Sequence, residues 1–231
     1  MTGEQNVRAY GEELRHLDQL IARMGGLAEA QPAAATDALS RRDRDAAHRI
    51  ADRDAEINSF ALRILALRQP LAEDLRSVVA ALKTAADLER NGDYVRNMAN
   101  RTGALAQMPS IGDTAHTITR MGRLVQKMIK NVLDACVGRD VQLADEVRDC
   151  DQEVDYLHTG LFRELLTYMM EDPRTITTCT HLLFIANNIE RMGDHVTDIA
   201  EHVYAMVLGE EPAPGRPKGD QTSFTVVPPI D

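Results

Sequence analysis

Apolar residues recur along this chain at the three- and four-residue spacing of amphipathic helices. Near the N-terminus this stripe consists of Leu14, Leu17, Leu20, Ile21, Met24 and Leu27, and a second stripe runs from Met121 to Leu133. Such spacing places apolar side chains on one face of a helix. The alternation typical of strands is nearly absent, except at residues 224–227. The pattern therefore predicts an all-α protein.

Prolines and glycines divide the helical pattern into six predicted helices. Their ranges are 4–41, 44–68, 71–105, 112–138, 140–171 and 174–208. Pro70 and Pro173 suit the first turn of a helix, where the missing N–H has no partner to lose. Pro32 lies inside the first range and predicts a kink or a break near Gln31. Five of the nine prolines follow Gly209 and predict a flexible C-terminal tail.

The first and second halves of the chain repeat one another. A shift of 97 residues (120 − 23) places Arg23-Met24-Gly25 on Arg120-Met121-Gly122, and Arg42-Asp43 on Arg139-Asp140. A shift of 101 residues (190 − 89) places Glu89-Arg90-x-Gly92-Asp93 on Glu190-Arg191-x-Gly193-Asp194. The matches keep their order and register over three helices.

This duplication predicts two tandem, repeat-related three-helix bundles with an approximate internal twofold axis. We expect the first repeat at residues 1–107, the second at 108–209 and the tail at 210–231. Short links between consecutive helices of each repeat predict antiparallel neighbours.

Composition excludes several classes of function. The 231 residues carry a formal net charge of −10, which is unfavourable for binding nucleic acid or an anionic membrane surface. No apolar run reaches the roughly 20 residues that span a bilayer, and the N-terminus lacks a signal peptide. The three cysteines form no Cys-x-x-Cys pair. We therefore expect a protein of the reducing cytoplasm that does not insert into membranes. Its acidity suits the binding of cations or of a basic partner, but many proteins are acidic for solubility alone.

Carboxylates at four-residue spacing occur in both repeats and are the candidate metal ligands. They are Asp54, Glu89, Asp93, Asp151, Asp155, Glu190, Asp194 and Asp198. This spacing places them on one helix face, where they repel one another unless cations balance them. Hard cations that prefer oxygen ligands (Mg, Ca, Mn or iron) are the natural partners. The alternative is neutralisation by nearby arginines: Arg90, Arg96, Arg101 and Arg191.

The two candidate sites differ in charge. The first half has Asn58 and Asn97 where the second half has Asp155 and Asp198, which leaves three carboxylates against five. The second site should therefore bind cations more tightly. Gly92 and Gly193 lie inside these helices at a cost of about 1 kcal/mol each relative to alanine. They predict close helix approach beside the carboxylates.

Several of these segments resemble the PhoU family of phosphate-uptake regulators. The segments are Arg68-Gln69-Pro70-Leu71-Ala72-Glu73-Asp74-Leu75-Arg76, the two Glu-Arg-x-Gly-Asp segments, and Glu171-Asp172-Pro173-Arg174. The resemblance covers about residues 10–208. It implies a cytoplasmic, homodimeric, non-enzymatic regulator built from two three-helix bundles.

The resemblance also implies partners and a cofactor. PhoU proteins act with the ATPase of the phosphate ABC transporter and with a phosphate-sensing membrane histidine kinase, and they repress the phosphate-starvation response when phosphate is plentiful. Some members bind multinuclear iron or other metals through E(D)-x-x-x-D motifs. Here these motifs are Glu89/Asp93, Asp151/Asp155 and Glu190/Asp194. Iron or another hard divalent cation (Mg, Mn or Ca) is expected ahead of zinc.

Two other interpretations remain open at this point. A carboxylate-bridged di-metal enzyme needs two Glu-x-x-His pairs on facing helices. Only Glu13-x-x-His16 fits, with Asp155-x-x-His158 as a loose variant, and the two are not repeat-related. A metal-free helical scaffold is the second alternative.

No catalytic residues are predicted, because no nucleophile–base pair or cofactor signature occurs. His195, beside Asp194, is a candidate ligand, but we expect an exposed or capping histidine there, and we expect Met24 and Met121 to be core residues.

Overall fold

The computed structural model describes residues 2–49, 75–210 and 222, and the side chains from position 19 onward together with Arg15. The elements in chain order are helix α1 (Thr2–Arg41), α2 (Leu75–Leu105), α3 (Thr114–Gly138), α4 (Val141–Glu171), a 3-10 turn (Pro173–Thr175) and α5 (Ile176–Val207). Residues 44–49 are also helical and begin the predicted second helix. The rest of that helix, and nearly all of the predicted tail, lie outside the described residues. The all-α prediction is confirmed.

The Arg-Asp pair that recurs in both halves forms the same tight turn twice. Arg42 and Arg139 both adopt the left-handed conformation, with φ of 55° and 52°. The aspartate that follows each arginine caps the next helix: Asp43 accepts from the Ala46 N–H at 2.8 Å, and Asp140 from the Leu143 N–H at 3.0 Å. An aspartate at this position satisfies a backbone donor that the helix leaves unpaired. The repeated dipeptide thus turns the chain between consecutive helices.

Helix α1 continues through Pro32, so the predicted break near Gln31 does not occur. A proline inside a helix removes one backbone hydrogen bond, at a cost of about 3 kcal/mol. Both Gln31 and Pro32 are buried, and α1 packs against α2 and α3. These tertiary contacts hold the helix together where its local sequence would interrupt it.

Helices at equivalent positions in the two repeats pack on each other. Helix α1 contacts its counterpart α3, and α2 contacts its counterpart α5, while α4 packs on α3 and α5. Met24 and Met121, at matching positions, are both fully buried, as predicted. One continuous hydrophobic core therefore joins the two halves.

Two repeat-related glycines show that this packing is reciprocal. A side chain added at Gly25 would meet Leu133 at 2.5 Å, and one added at Gly122 would meet Thr36 at 2.6 Å. Position 25 corresponds to 122 under the shift of 97, and position 36 corresponds to 133. Each helix thus presents a glycine to the same place on the other, as an internal twofold axis requires. None of the helices in the described part of the chain is both long and apolar enough to cross a membrane.

Candidate metal centre and a second polar cluster

The turn between α4 and α5 fixes how these two helices face each other. Asp172 accepts hydrogen bonds from the Arg174 N–H and from the Arg174 guanidinium, and the Thr175 hydroxyl donates to the Tyr168 carbonyl at 3.0 Å. Pro173 opens the 3-10 turn, as its position in the sequence predicts. The two helices consequently run antiparallel and in contact along their length.

Asp151 of α4 lies directly against the Glu-Arg-x-Gly-Asp segment of α5. A Cβ atom built on Gly193 would fall 2.5 Å from Asp151 Oδ1. The absence of a side chain at Gly193 therefore makes room for this carboxylate. The predicted close helix approach beside the carboxylates is confirmed at Gly193.

Asp155 lies one turn further along α4 and is buried like Asp151, with 2% and 1% of each residue exposed. Asp155 follows Asp151 by four residues and therefore lies on the same face of α4. Glu190 and Asp194 are both half-buried. We call the contact between α4 and α5 near the predicted ligands Asp151, Asp155, Glu190 and Asp194 the carboxylate seam.

The donor set at this seam suits a hard cation. Its predicted ligands are carboxylates, and two of them are removed from solvent. Burying a carboxylate is costly unless donors or cations compensate it. Oxygen-only ligand sets are what Mg²⁺, Ca²⁺, Mn²⁺ and iron prefer. The seam therefore fits the kind of ion that the sequence predicts.

The first-half site is described only in part. Glu89 and Asp93 are half-buried on α2, and the Arg96 guanidinium donates to Asp93 Oδ1 at 2.5 Å. This ion pair is the arginine neutralisation that the sequence left open as an alternative. Asp54 lies outside the described residues.

Asp198 contacts His195, on the side of α5 that faces α2. Its Oδ2 lies 3.5 Å from His195 Nδ1, and about half of its side chain is exposed. His195 is not the exposed or capping histidine that the sequence suggested, because its side chain is only 15% exposed and it bridges two helices. That expectation was wrong because the partner of His195, Asp87, is 108 residues away in the sequence.

Asp87 of α2 lies between two histidines of α5. Its Oδ1 is 3.0 Å from His195 Nδ1, and its Oδ2 is 3.0 Å from His202 Nε2. Since a carboxylate only accepts, both facing nitrogens carry a proton in the metal-free protein. Tyr94 stacks on the His195 ring, and its hydroxyl lies 3.4 Å from His195 Nε2. We call Asp87, His195, Asp198 and His202 the α2–α5 cluster.

These contacts shift two pKa values. Hydrogen bonds to Asp198 and to Asp87 raise the pKa of His195 to about 10, against the opposing effect of burial. Burial favours a higher pKa for Asp87, but the hydrogen bonds from His195 and His202 outweigh it and lower that pKa. Both shifts favour the charged forms, so Asp87 and His195 join the two repeats by an ion pair at neutral pH.

The sequence contains a partial signal for this cluster. His195, Asp198 and His202 are spaced i, i+3 and i+7, which places them on one face of α5. The contribution of Asp87 depends on how α2 packs on α5, which spacing within one helix does not show. The side chains of Glu13 and His16, the first pair of the di-metal alternative, lie outside the described residues; His158, of the second pair, is buried on α4.

Comparison with known proteins identifies the fold. The PhoU domain matches residues 21–102 and again residues 118–203. A phosphate-specific transport system accessory protein PhoU homolog from Caulobacter vibrioides is 48% identical over 227 residues, which cover 95% of this chain and 99% of that protein.

Two crystal structures have the same architecture. PhoU from Pseudomonas aeruginosa superposes with a TM-score of 0.81 at 36% identity and covers 87% of this chain and 100% of its own. The phosphate transport system regulatory protein PhoU from Streptococcus pneumoniae gives 0.79 at 26% identity over 88% of this chain and 99% of its own. With its two matched domains, its duplicated helices and these relatives, the chain belongs to the PhoU family.

Proposed function

We propose that this protein is a cytoplasmic negative regulator of phosphate uptake and of the phosphate-starvation response. It acts as a homodimer with the phosphate ABC transporter ATPase and a phosphate-sensing histidine kinase, and it binds metal. The observation that carries the proposal is the PhoU match in both repeats. It is supported by a relative named as a transport accessory protein that aligns with 95% of the chain.

Metal binding is supported by the seam between α4 and α5. Asp151 and Asp155 are buried there, and Gly193 provides space for Asp151. Together with Glu190 and Asp194 they would hold a hard cation, iron included. Such an ion supplies positive charge that offsets carboxylate repulsion and fastens α4 to α5.

The decisive experiment for the regulatory role is deletion of the gene. We expect phosphate-starvation genes to be expressed in phosphate-rich medium in the deletion strain, and to be repressed again when the wild-type gene is restored. A transcriptional reporter measures both states. Normal repression in a deletion strain with no redundant copy would disprove the regulatory role.

The outward face of α4 is the surface that we assign to a basic partner. It exposes four acidic residues within three turns: Asp145, Glu146, Asp149 and Glu153. Two of them are partly neutralised, Asp145 by Arg148 at 3.5 Å and Glu153 by Arg120 at 2.5 Å. Glu146 and Asp149 remain as the main source of negative potential on this face. Exposed charges of this kind chiefly raise the association rate.

A charge-neutralised variant tests this surface. Glu146→Gln with Asp149→Asn should slow association with the purified transporter ATPase or the kinase by about tenfold at low salt, and the difference should shrink at high salt. Glu171→Gln with Asp134→Asn removes the same charge elsewhere and serves as the control. Association rates that are insensitive to salt in the wild type would instead indicate a mainly apolar interface.

A further inference from the structure

The α2–α5 cluster is built differently from the carboxylate seam. It combines imidazole with carboxylate, and it lies between the two repeats. The candidate ligand atoms of Asp87, His195 and Asp198 all lie within 4.8 Å of one another. His202 Nε2 approaches the second oxygen of Asp87. We propose that this cluster is a further metal site, distinct from the carboxylate sites, which takes a borderline transition ion such as Zn²⁺ or Co²⁺ and cross-links the two repeats.

The spacing of the ligand atoms fits such an ion. Zinc binds histidine nitrogen and carboxylate oxygen at about 2.0–2.2 Å, which places neighbouring ligands of a tetrahedron about 3.4 Å apart. The distances from His195 Nδ1 are 3.0 Å to Asp87 Oδ1 and 3.5 Å to Asp198 Oδ2. The ion would take the place of the protons between these atoms.

The surroundings of the cluster also suit a metal site. Ligating histidines usually use their other ring nitrogen to bind a neighbouring group, which fixes the ring orientation. The Tyr94 hydroxyl lies at that nitrogen of His195, and the Tyr94 ring stacks on the imidazole. The side chains of Asp87, His195 and His202 are only 14–16% exposed, while Asp198 reaches the surface and leaves a path of entry. Tyr94 is therefore a positioning residue for this site.

Ligand type separates this site from the seam. The seam is rich in oxygen ligands and suits hard cations, whereas imidazole favours zinc, cobalt and similar ions. On α5, Gly193 faces α4 while His195 faces α2. The proposal uses residues other than the seam ligands and is independent of the regulatory role.

Cobalt titration of the metal-stripped full-length protein tests the proposal. We expect one Co²⁺ per chain to give an intense visible absorption of the four-coordinate ion, and Zn²⁺ to displace it. The titration is made at about pH 8, because the ion must replace protons on the imidazoles. His195→Gln and Asp87→Asn should each weaken this binding by about 100-fold, and Tyr94→Phe by about 10-fold.

Two variants serve as matched controls. His181→Gln changes a half-buried histidine of the same helix outside the cluster and should leave the cobalt spectrum unchanged. Glu190→Gln with Asp194→Asn alters the carboxylate seam and should also leave this spectrum unchanged. Helical circular dichroism checks that each variant is folded.

Imidazole NMR of the wild type gives an answer even if the variants unfold. Zn²⁺ should shift the resonances of His195 and His202 and leave His181 unaffected. Absence of any shift at His195 would overturn the proposal. So would a cobalt spectrum that survives His195→Gln, because the ion would then be bound elsewhere.

Discussion

The two ends of the α2–α5 interface are related by the duplication but have different chemistry. At one end, Asp87 of the first repeat contacts His195 and His202 of the second, and His195 also contacts Asp198 of its own helix. The shift of 101 makes Asn188, Asn97 and Arg101 the equivalents of Asp87, Asp198 and His202, while the equivalent of His195 is Tyr94, which stacks on it. At the other end, the Arg101 guanidinium lies 4.0 Å above the Phe184 ring. Duplication has kept the helix packing while the side chains at its two ends have diverged.

The α1–α3 contact shows the same divergence in apolar residues. Gly25 faces Leu133 and Gly122 faces Thr36, at positions that the repeat makes equivalent. The backbone approach is alike at both places, but a flexible leucine occupies one and a fixed, β-branched threonine the other. The two halves of this protein therefore share one fold, but equivalent contacts in them differ in which substitutions they tolerate and in which ligands they can bind.

The largest expected difference between the halves is in bound metal. Glu190→Gln with Asp194→Asn should remove most of the hard cation, whereas Glu89→Gln with Asp93→Asn should remove much less. The reason is charge, because two buried aspartates reinforce the second site while Arg96 already neutralises Asp93. Elemental analysis of protein purified without chelator or metal-affinity tag measures both. If both variants lose the same amount of metal, or if neither loses any, these carboxylates form salt bridges and are not a metal site.

The second difference is in stability at the two ends of the α2–α5 interface. In metal-free protein, Asp87→Asn removes charged hydrogen bonds to two histidines and should lower the free energy of unfolding by about 2–3 kcal/mol. Asn188→Asp is the matched change at the equivalent position and should alter it by less than about 1 kcal/mol. Urea denaturation measures both. Equal losses would mean that the ion pairs contribute nothing specific.

The pH dependence sharpens this test. The pKa of His195 is about 10 in the folded protein, above its ordinary value of 6.5. Its contribution to stability is therefore complete below about pH 6.5 and is lost as the pH rises toward 10. The pKa of Asp87 is lowered, so its contribution is lost as the pH falls below the ordinary value of 3.8. The gap between wild type and Asp87→Asn should shrink steadily above neutral pH, and a constant gap would contradict the ion-pair account.

The sequence predicts much of the fold because its local signals agree with one another. Helix ends follow from Pro173 and from the two Arg-Asp turns, and the duplication follows from motifs kept in both halves. The break that Pro32 predicts does not occur, because packing of α1 against two other helices outweighs it. Repetition in both halves is the signal that identifies Asp151 and Glu190 as candidate metal ligands.

The same reasoning missed the α2–α5 cluster. His195 has Tyr94 at its repeat position, and Asp87 has Asn188, so neither is marked by repetition. Their contact depends on the register between two helices far apart in the chain. Sequence spacing therefore favours features shared by both halves and overlooks those that only one half has acquired.

A smaller effect is expected from the two glycines of the α1–α3 contact. Gly122→Ala should destabilise the protein by about 1–3 kcal/mol, because Thr36 is fully buried and its hydroxyl donates to the Pro32 and Ala33 carbonyls. Gly25→Ala should cost less than about 1 kcal/mol, since the Leu133 side chain can rotate away and alanine favours the helix. Thermal unfolding of both variants measures the difference. A larger loss at Gly25 would show that Leu133 is the more rigid neighbour.

The smallest difference should be found at the two turns, where the halves have not diverged. Asp43→Ala and Asp140→Ala each remove one capping hydrogen bond, of 2.8 Å and 3.0 Å, and should each cost about 1 kcal/mol. Asp140→Asn keeps an accepting oxygen and serves as the control, with little expected loss. Because the preceding arginines share the same left-handed conformation, the two alanine variants should agree within about 0.5 kcal/mol in chemical denaturation. A clear inequality would show that neighbouring contacts have made even these matching turns energetically distinct, and that similar geometry in the two halves does not imply similar stability.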